Sequence, residues 1–355
     1  MPEATAALSA LTTLRVGGPA RELVHATTER ALVDAVRRAD AAGSPLLLVA
    51  GGSNLLVADE GFDGTVVLVA TSGIDIAGPD QAGPTCGGAD VTVAAGESWD
   101  GLVARAVTRG WVGIEALSGI PGSVGATPVQ NVGAYGQEVA GTIASVRCWD
   151  RVEDRQRTFA AADCGFGYRT SRFKQDPGRY LVLSVSFQFR QGELSEQVAY
   201  AELARALGVT VGDRVPMTEV REAVLRLRAA KGMVLDDADH DTWSAGSFFT
   251  NPLLDPEAAH RLPADAPRWE QPDGTVKTSA AWLIEHAGFG RGYGIGPARL
   301  STKHTLAVTN RGSARAADLL ALAAEVQRGV HDRYGVRLVN EPVLVGCELP
   351  ATASR

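Results

Sequence analysis

Along the N-terminal part of the chain the apolar positions change period repeatedly. ARELVHA, residues 20–26, reads as a strand; Thr28 then caps a helix whose Leu32, Val36 and Ala39 share one face, and Gly43 ends it. SPLLLVA (44–50) follows as a buried strand, so a β-α-β unit delivers the chain into GGSNLLV (51–57). GTVVLVA (64–70) supplies another strand after the Gly61 to Gly64 turn, and short strands and turns continue to about residue 97. The helical period returns behind Ser98, a cap with Asp100 in the first turn. Leu102, Val103, Ala106 and Val107 form its stripe and Gly110 stops it.

The richest glycine block comes next, LSGIPGSVGATPVQNVGAYGQEV (117–139), and the strands SVRCWD and YLVLSVSFQF flank the intervening GYRTSRFK. Composition shifts near residue 190. QGELSEQVAYAELARALG (191–208) is polar and helix-prone, residues 191–215 read as lightly anchored, and Thr218 starts a helix with Val220, Val224 and Leu227 on one side. The last third holds SAGSFFTNP (244–252), a helix around AAWLIEHAG, a strand LAVTN, a long helix and a closing strand VLVG. Ser313 is the expected cap of the long helix, whose Leu319, Ala323, Val326 and Val330 keep the helical period to Gly335. No internal repeat or disordered tract stands out, and the class is mixed α+β.

At 355 residues the chain exceeds the size of a single core, which predicts two or three subdomains around a shared cleft. The 34 Lys and Arg against 41 Asp and Glu give a net charge of −7 without a dense basic run, which argues against nucleic acid as a partner. Cys86, Cys148, Cys164 and Cys347 are far apart and form no pair with zinc spacing, so they read as small buried hydrophobes in a reducing compartment. An acid stands where a secretory signal needs positive charge, and no apolar run can span a bilayer; the expectation is a cytoplasmic protein without membrane insertion.

Two glycine stretches, 51–54 and 119–136, can each present consecutive backbone N–H groups to a pyrophosphate. Neither is a GxGxxG opening a helix, and turn-making alone explains either one, but two in one chain favour a large phosphate-bearing cofactor. Arg169, held between two strands, can grip a carboxylate through two parallel hydrogen bonds or form an ordinary surface salt bridge. Glu341 in LVNEPVLVG is by itself unremarkable. Ser247 lies between small Ala245–Gly246 and bulky Phe248–Phe249; a hydroxyl stripped of water there costs about 1–3 kcal/mol unless paired, so a partner is expected. No GxSxG elbow surrounds it, and no histidine spacing marks a nucleophile's base.

Together, and in this order, GGSNLLV, GIPGSVGATPVQNVGAYGQE, YRTSRFK, AGSFFTNP, AAWLIE and NEPVLVG closely resemble the UDP-N-acetylenolpyruvoylglucosamine reductase (MurB) family over nearly the whole chain. The resemblance implies an FAD-binding domain of the vanillyl-alcohol oxidase (PCMH) type over 1–190, in subdomains of about 1–72 and 73–190, and a C-terminal α+β substrate domain over 191–355. It implies bound FAD, NADPH as co-substrate, and reduction of UDP-N-acetylglucosamine enolpyruvate to UDP-N-acetylmuramate in peptidoglycan precursor synthesis. Oligomeric state is left open, with a monomer favoured.

By the same resemblance Arg169 and Glu341 hold the charge of the enolate and Ser247 supplies its proton. Backbone around Gly51, Gly52, Ser53 and Asn54, around Gly119, Pro121, Gly122, Ser123 and Gly125, and at Gly133, Ala134 and Tyr135 would hold FAD, with Arg15 and Gly17 as weaker candidates. Tyr168, Tyr200, Lys231, Asn251 and His304 align with substrate contacts, His304 standing in place of a common glutamine. Two other readings compete: an FAD-dependent alcohol oxidase of the vanillyl-alcohol oxidase type, permitted by fold alone, and an idle nucleotide-sugar binding protein, which would not need Arg169, Ser247 and Glu341 together.

Overall fold

A computed structural model describes residues 7–77 and 88–349. The chain forms two compact units: one from the N-terminal residues to Ala20, Gly52–Phe62 and the chain from Lys231 onward, the other from Arg21–Gly51 and Asp63–Ala230. These are packing units; the division into an FAD part, 1–190, and a substrate part, 191–355, is a functional one and stays a proposal.

In the second unit the helix Glu29–Ala41 begins where Thr28 Oγ1 accepts the Ala31 N–H, and it buries Leu32, Ala35, Val36 and Ala39, the stripe its period requires. It accompanies a three-stranded sheet in the order Ala20–Ala26, Phe62–Val69, Leu46–Val49. Leu46–Val49 lies at the edge, and only Val49 is buried, so the strand expected to be buried is half exposed. An unbroken apolar run does not reveal whether a sheet neighbour covers its second side.

The larger sheet runs Arg155–Ala160, Ile143–Asp150, Tyr180–Gln191, Ala89–Ala94, Ile74–Ala77, with Trp111–Val112 added beside the end of Tyr180–Gln191. Its central strand separates two cores. Leu181 and Leu183 join the cluster of Leu32 and Val36, while Val182, Val185, Phe187 and Phe189 join Trp99, Leu102, Val103 and Ala106. A register shift opposite Arg147 and Cys148 lets Val182 and Val185 share a face despite their odd spacing. Ser98 and Gly110 cap Trp99–Arg109 as expected, with Gly110 left-handed at φ 72°. Between residues 191 and 230 the helices are Ala201–Leu207 and Met217–Ala230. The stretch 191–215 is better anchored than its polarity suggests: Ser195 N–H bonds Val215 O, Val198 N–H bonds Asp213 O, and Ser195 and Val198 are buried.

In the first unit the helix Ala316–Tyr334 buries Leu319, Ala323, Val326 and Val330 against Leu283, Ile284, Leu300, Val308 and the Phe248–Phe249 pair. Its N-cap is Arg315, not Ser313. Asp318 accepts the Arg315 N–H, and Asp59, from far along the chain, accepts those of Ala316 and Ala317. A cap supplied by tertiary contact leaves no local signature. The closing strand Val343–Val345 pairs in parallel with Leu55–Val57. Cys148 and Cys164 are buried and Cys347 is half-buried; Cys86 lies outside the described residues.

Asp150, fully buried, ends its strand by accepting the N–H groups of Val152 and Glu153 and the guanidiniums of Arg179 and Arg157. The Arg179 hydrogen bonds hold its carboxyl down to about 2, outweighing burial. A depressed carboxylate stabilises the fold above its unfolded pKa of about 4 and loses that contribution as pH falls toward 2. We therefore expect Asp150→Asn to cost about 2 kcal/mol at pH 7, and thermal melts from pH 6 to pH 2 to show the variant and parent converging.

Candidate functional site

The segment carrying Ser247 is pinned on both sides of the serine. Thr13 Oγ1 bonds Ser244 O at 2.6 Å, Asn310 N–H bonds Trp243 O at 3.0 Å, and Phe248 N–H bonds Leu306 O at 2.7 Å. Phe248 and Phe249 are 1% and 2% exposed and anchor the stretch in the core, while Gly246 turns the chain at φ 73°. Ser247 itself is half-buried, and among the described residues no hydrogen bond reaches its hydroxyl. The expected partner is therefore absent from this unit: half exposure lets water serve the hydroxyl, and the cost of an unpaired buried group does not arise.

Glu341 is stitched to the same segment. Its N–H bonds Phe248 O at 2.9 Å, Asn340 bridges Phe249 in antiparallel register, and Thr250 N–H bonds Val339 O. Asn54 Nδ2 reaches Glu341 O at 3.4 Å, and Asn54 O accepts the Val343 N–H at 2.9 Å. Ser247 and Glu341 thus sit on adjoining strands of backbone. His304 belongs to the Ser301–Ala307 turn beside Leu306, its N–H on Ser301 Oγ at 3.3 Å. Asn251 has a structural duty, since its Oδ1 caps the Ala280 N–H at 3.0 Å. Lys231 is half-buried next to Gly232, where a Cβ would lie 2.9 Å from Asp241 O. Arg15 lies 4.0 Å from the centre of the Trp243 indole and pairs with Asp237.

Asp241, missed in the sequence, holds the approach to this segment. Its carboxylate accepts Thr302 N–H and Oγ1 and the Arg311 guanidinium; burial would raise it, but these bonds keep it below the usual range.

Arg169 belongs to the other unit. Its backbone is left-handed at φ 52°, its Nη2 bonds Gly133 O at 2.8 Å, and Lys174 Nζ bonds its carbonyl at 2.9 Å. Tyr168 beside it is exposed, with the guanidinium 5.8 Å from its ring centre. Gly133–Ala134 pairs with Gln137–Glu138 in a hairpin whose tip carries Tyr135 at φ 50°. Tyr200, 50% exposed, meets the Tyr135 ring edge-on at 5.8 Å. Burial pushes the Tyr135 phenol up to about 12, against the pull of Arg228, so it remains a donor. Arg228 is itself pushed down by burial and faces Tyr135 and Asp100. Neither it nor buried Asn131, whose Nδ2 bonds Glu138 and Gly167 O, carried a sequence signal.

The glycine stretches form a bare backbone surface in this unit. A Cβ on Gly51 would lie 2.6 Å from Gly122 Cα, so the two backbones touch with nothing between them. Gly119 N–H is given to Asp100 at 2.6 Å, Val124 N–H to Glu97 O and Gly125 N–H to Ala95 O. Those three amides are not available to a phosphate, contrary to a nest made of the whole run. Among the described residues the donors left open include the N–H groups of Gly122 and Ser123 and the buried, unpaired Ser123 hydroxyl. In the first unit Gly52 is left-handed at φ 58°, where a Cβ would collide with Leu11 O; Ser53 and Asn54 are half-buried, and Pro121 in the second is exposed.

Residues 20–154 match the FAD binding domain family, which together with the relatives below makes the chain a flavin-dependent oxidoreductase of α+β fold. Residues 237–345 match the UDP-N-acetylenolpyruvoylglucosamine reductase C-terminal domain. The reductase of that name from Cutibacterium acnes is 59% identical over 345 residues, 96% of this chain and 90% of the relative. That of Streptomyces coelicolor is 56% identical over 355 residues, covering 97% and 90%. The crystal structure of the Thermus caldophilus reductase, at 27% identity, superposes with a TM-score of 0.63 over 96% of this chain and 98% of that one. The chain belongs to the UDP-N-acetylenolpyruvoylglucosamine reductase family.

The Gly51–Gly122 surface and the unpaired Ser123 hydroxyl fit FAD: they provide close backbone approach and an unclaimed donor for a diphosphate. Gly51→Ala should purify with a lowered flavin-to-protein absorbance ratio. Gly141→Ala, where a Cβ meets nothing within 4 Å, should keep the parental ratio.

Proposed function

We propose that the chain reduces UDP-N-acetylglucosamine enolpyruvate to UDP-N-acetylmuramate with NADPH, a step of peptidoglycan precursor synthesis. The observation that carries this reading is the stitching of Ser247 and Glu341 onto adjoining backbone through Glu341 N–H to Phe248 O, in a chain that also fixes Arg169 on Gly133. Gly51, Gly52, Ser53, Asn54, Pro121, Gly122, Ser123, Gly133, Ala134 and Tyr135 hold FAD in this reading, while Gly119 and Gly125, whose amides are spent on Asp100 and Ala95, only shape the surface. FAD when bound supplies the hydride drawn from NADPH.

The protein's own work is electrostatic and protonic. Hydride addition to the vinyl carbon of the substrate drives charge onto the neighbouring carbon and its carboxylate. Arg169 offers a guanidinium fork to that anion, and fixed donors of this kind contribute about 3–4 kcal/mol to a barrier. Its support from Gly133 O and the Lys174 bond to its carbonyl preorganise the fork. Ser247 Oγ–H gives its proton to the carbanionic carbon, Glu341 helps hold the developing charge distribution, and Phe248 and Phe249 keep bulk water from one side of the hydroxyl. Tyr168, Tyr200, Lys231, Asn251 and His304 orient the UDP-linked sugar; Asn251 does so through its amide nitrogen while Oδ1 caps a helix. The reductase-specific match over 237–345, which includes Ser247 and Glu341, disfavours the alcohol oxidase.

Mixing purified protein with NADPH should bleach the flavin with no alcohol present, and adding the enolpyruvyl sugar should restore its colour. In Ser247→Ala the bleaching should survive while turnover falls at least ~100-fold; a variant that turns over like the parent would refute the serine's role.

A further inference from the structure

Glu115 is 1% exposed, yet three N–H donors converge on its carboxylate from three parts of the chain. Oε2 accepts Gly113 N–H at 2.7 Å; Oε1 accepts Gln137 Nε2 at 2.9 Å and Glu196 N–H at 2.7 Å. All three donors are neutral, an arrangement tolerable in a buried carboxylate only because each lone pair that matters is engaged.

Two of these bonds lead to residues of the proposed site. Gln137 is fixed at both ends of its amide, since its Oε1 also accepts Ala116 N–H at 2.8 Å. It pairs with Ala134 across the hairpin, and the adjoining Gly133 carbonyl receives the Arg169 guanidinium. Glu196 begins the other arm. Its segment continues through buried Val198 to Tyr200, whose ring rests edge-on against Tyr135 at the tip of the same hairpin. The loop is closed: Glu115 to Gln137 to the hairpin and Arg169, and Glu115 to Glu196 to Tyr200 and back to the hairpin.

We propose that Glu115 is a positioning residue that sets Arg169 and Tyr200 in register with each other. The proposal rests on the reading that those two side chains act on the enolpyruvyl sugar. A carboxylate suits the task because a single oxygen can receive two donors, and no neutral isostere accepts on both of its terminal atoms.

The test uses FAD-loaded holoenzyme. Glu115→Gln keeps the shape but turns an NH2 toward one set of donors. Its kcat should fall and its KM for the enolpyruvyl sugar should rise, each about 10- to 100-fold, while bleaching by NADPH keeps its rate. The double variant Glu115→Gln with Gln137→Glu exchanges amide and carboxylate. It restores an N–H to O bond between the two positions but leaves Glu196 N–H facing a nitrogen, so kcat should recover while KM stays raised. If Glu115→Gln lowers the melting temperature with kcat and KM unchanged, or the exchange restores both constants or neither, the proposal is overturned. Should Glu115→Gln fail to fold, Gln137→Ala cuts the Arg169 arm alone: a fall in kcat at constant KM supports the proposal and an unchanged kcat overturns it. Parent protein that cannot convert the enolpyruvyl sugar overturns the functional reading and this proposal with it, whereas normal parental turnover with insensitive variants sinks only the role of Glu115.

Discussion

Two backbones lie against each other at Gly51 and Gly122, and much of the second unit is arranged to keep them there. A Cβ on Gly51 would stand 2.6 Å from Gly122 Cα, a separation no side chain tolerates. Gly122 is held by its carbonyl, which accepts Trp99 N–H where the helix Trp99–Arg109 begins. Trp99 is in turn fixed by its indole on Leu117 O. Asp100, in the same first turn, takes Gly119 N–H and the Arg221 fork, so its carboxyl stays below the usual range although burial would raise it. One helix start thereby sets both ends of the 119–122 run. What stays unclaimed among the described residues, including Gly122 and Ser123 N–H with the Ser123 hydroxyl, is a polar surface that suits the diphosphate proposed for it.

Backbone strain recurs in the same unit around Arg169, at Asn131, Tyr135 and Arg169 itself. Among the described residues, five that are not glycine have φ between 45° and 54°: Arg15, Asn131, Tyr135, Asp154 and Arg169. Such conformations cost of order 1 kcal/mol each and survive only where the surroundings over-determine them. Asn131 is held by Glu138, Gly167 and Ala140, and the Gly167–Thr170 bridge then closes around Arg169. The guanidinium is held by a strained turn, which in the proposed reaction favours a fixed donor over one that reorganises as charge develops.

How far the sequence reveals this depends on the range of each interaction. Caps at Thr28, Ser98 and Gly110 and the stripes of three helices were legible because each is settled within a few residues. The edge position of Leu46–Val49, the Asp59 cap on Ala316 and the bulge beneath Val182 were not, since each depends on a distant partner. The same limit divides the site. Glycine blocks announce close approach, because only glycine permits it. Glu115, Asn131 and Asp241 are ordinary polar letters whose importance lies in burial and in hydrogen-bond partners up to 81 residues away. Left-handed φ at Tyr135 and Arg169 has no letter at all.

The serine makes the last point. A hydroxyl is a poor acid, so the role of proton source proposed for Ser247 demands that the base be stronger and that distance be settled beforehand. In this chain the serine lies between bonds at Gly246 N–H on Ser244 Oγ and Phe248 N–H on Leu306 O, with its own hydroxyl claimed by no described residue. A hydroxyl already donating within the protein would have to break that bond before reacting. Fixing the main chain while leaving Oγ uncommitted separates the two demands: the scaffold sets the distance, and the arriving anion decides the direction of the proton.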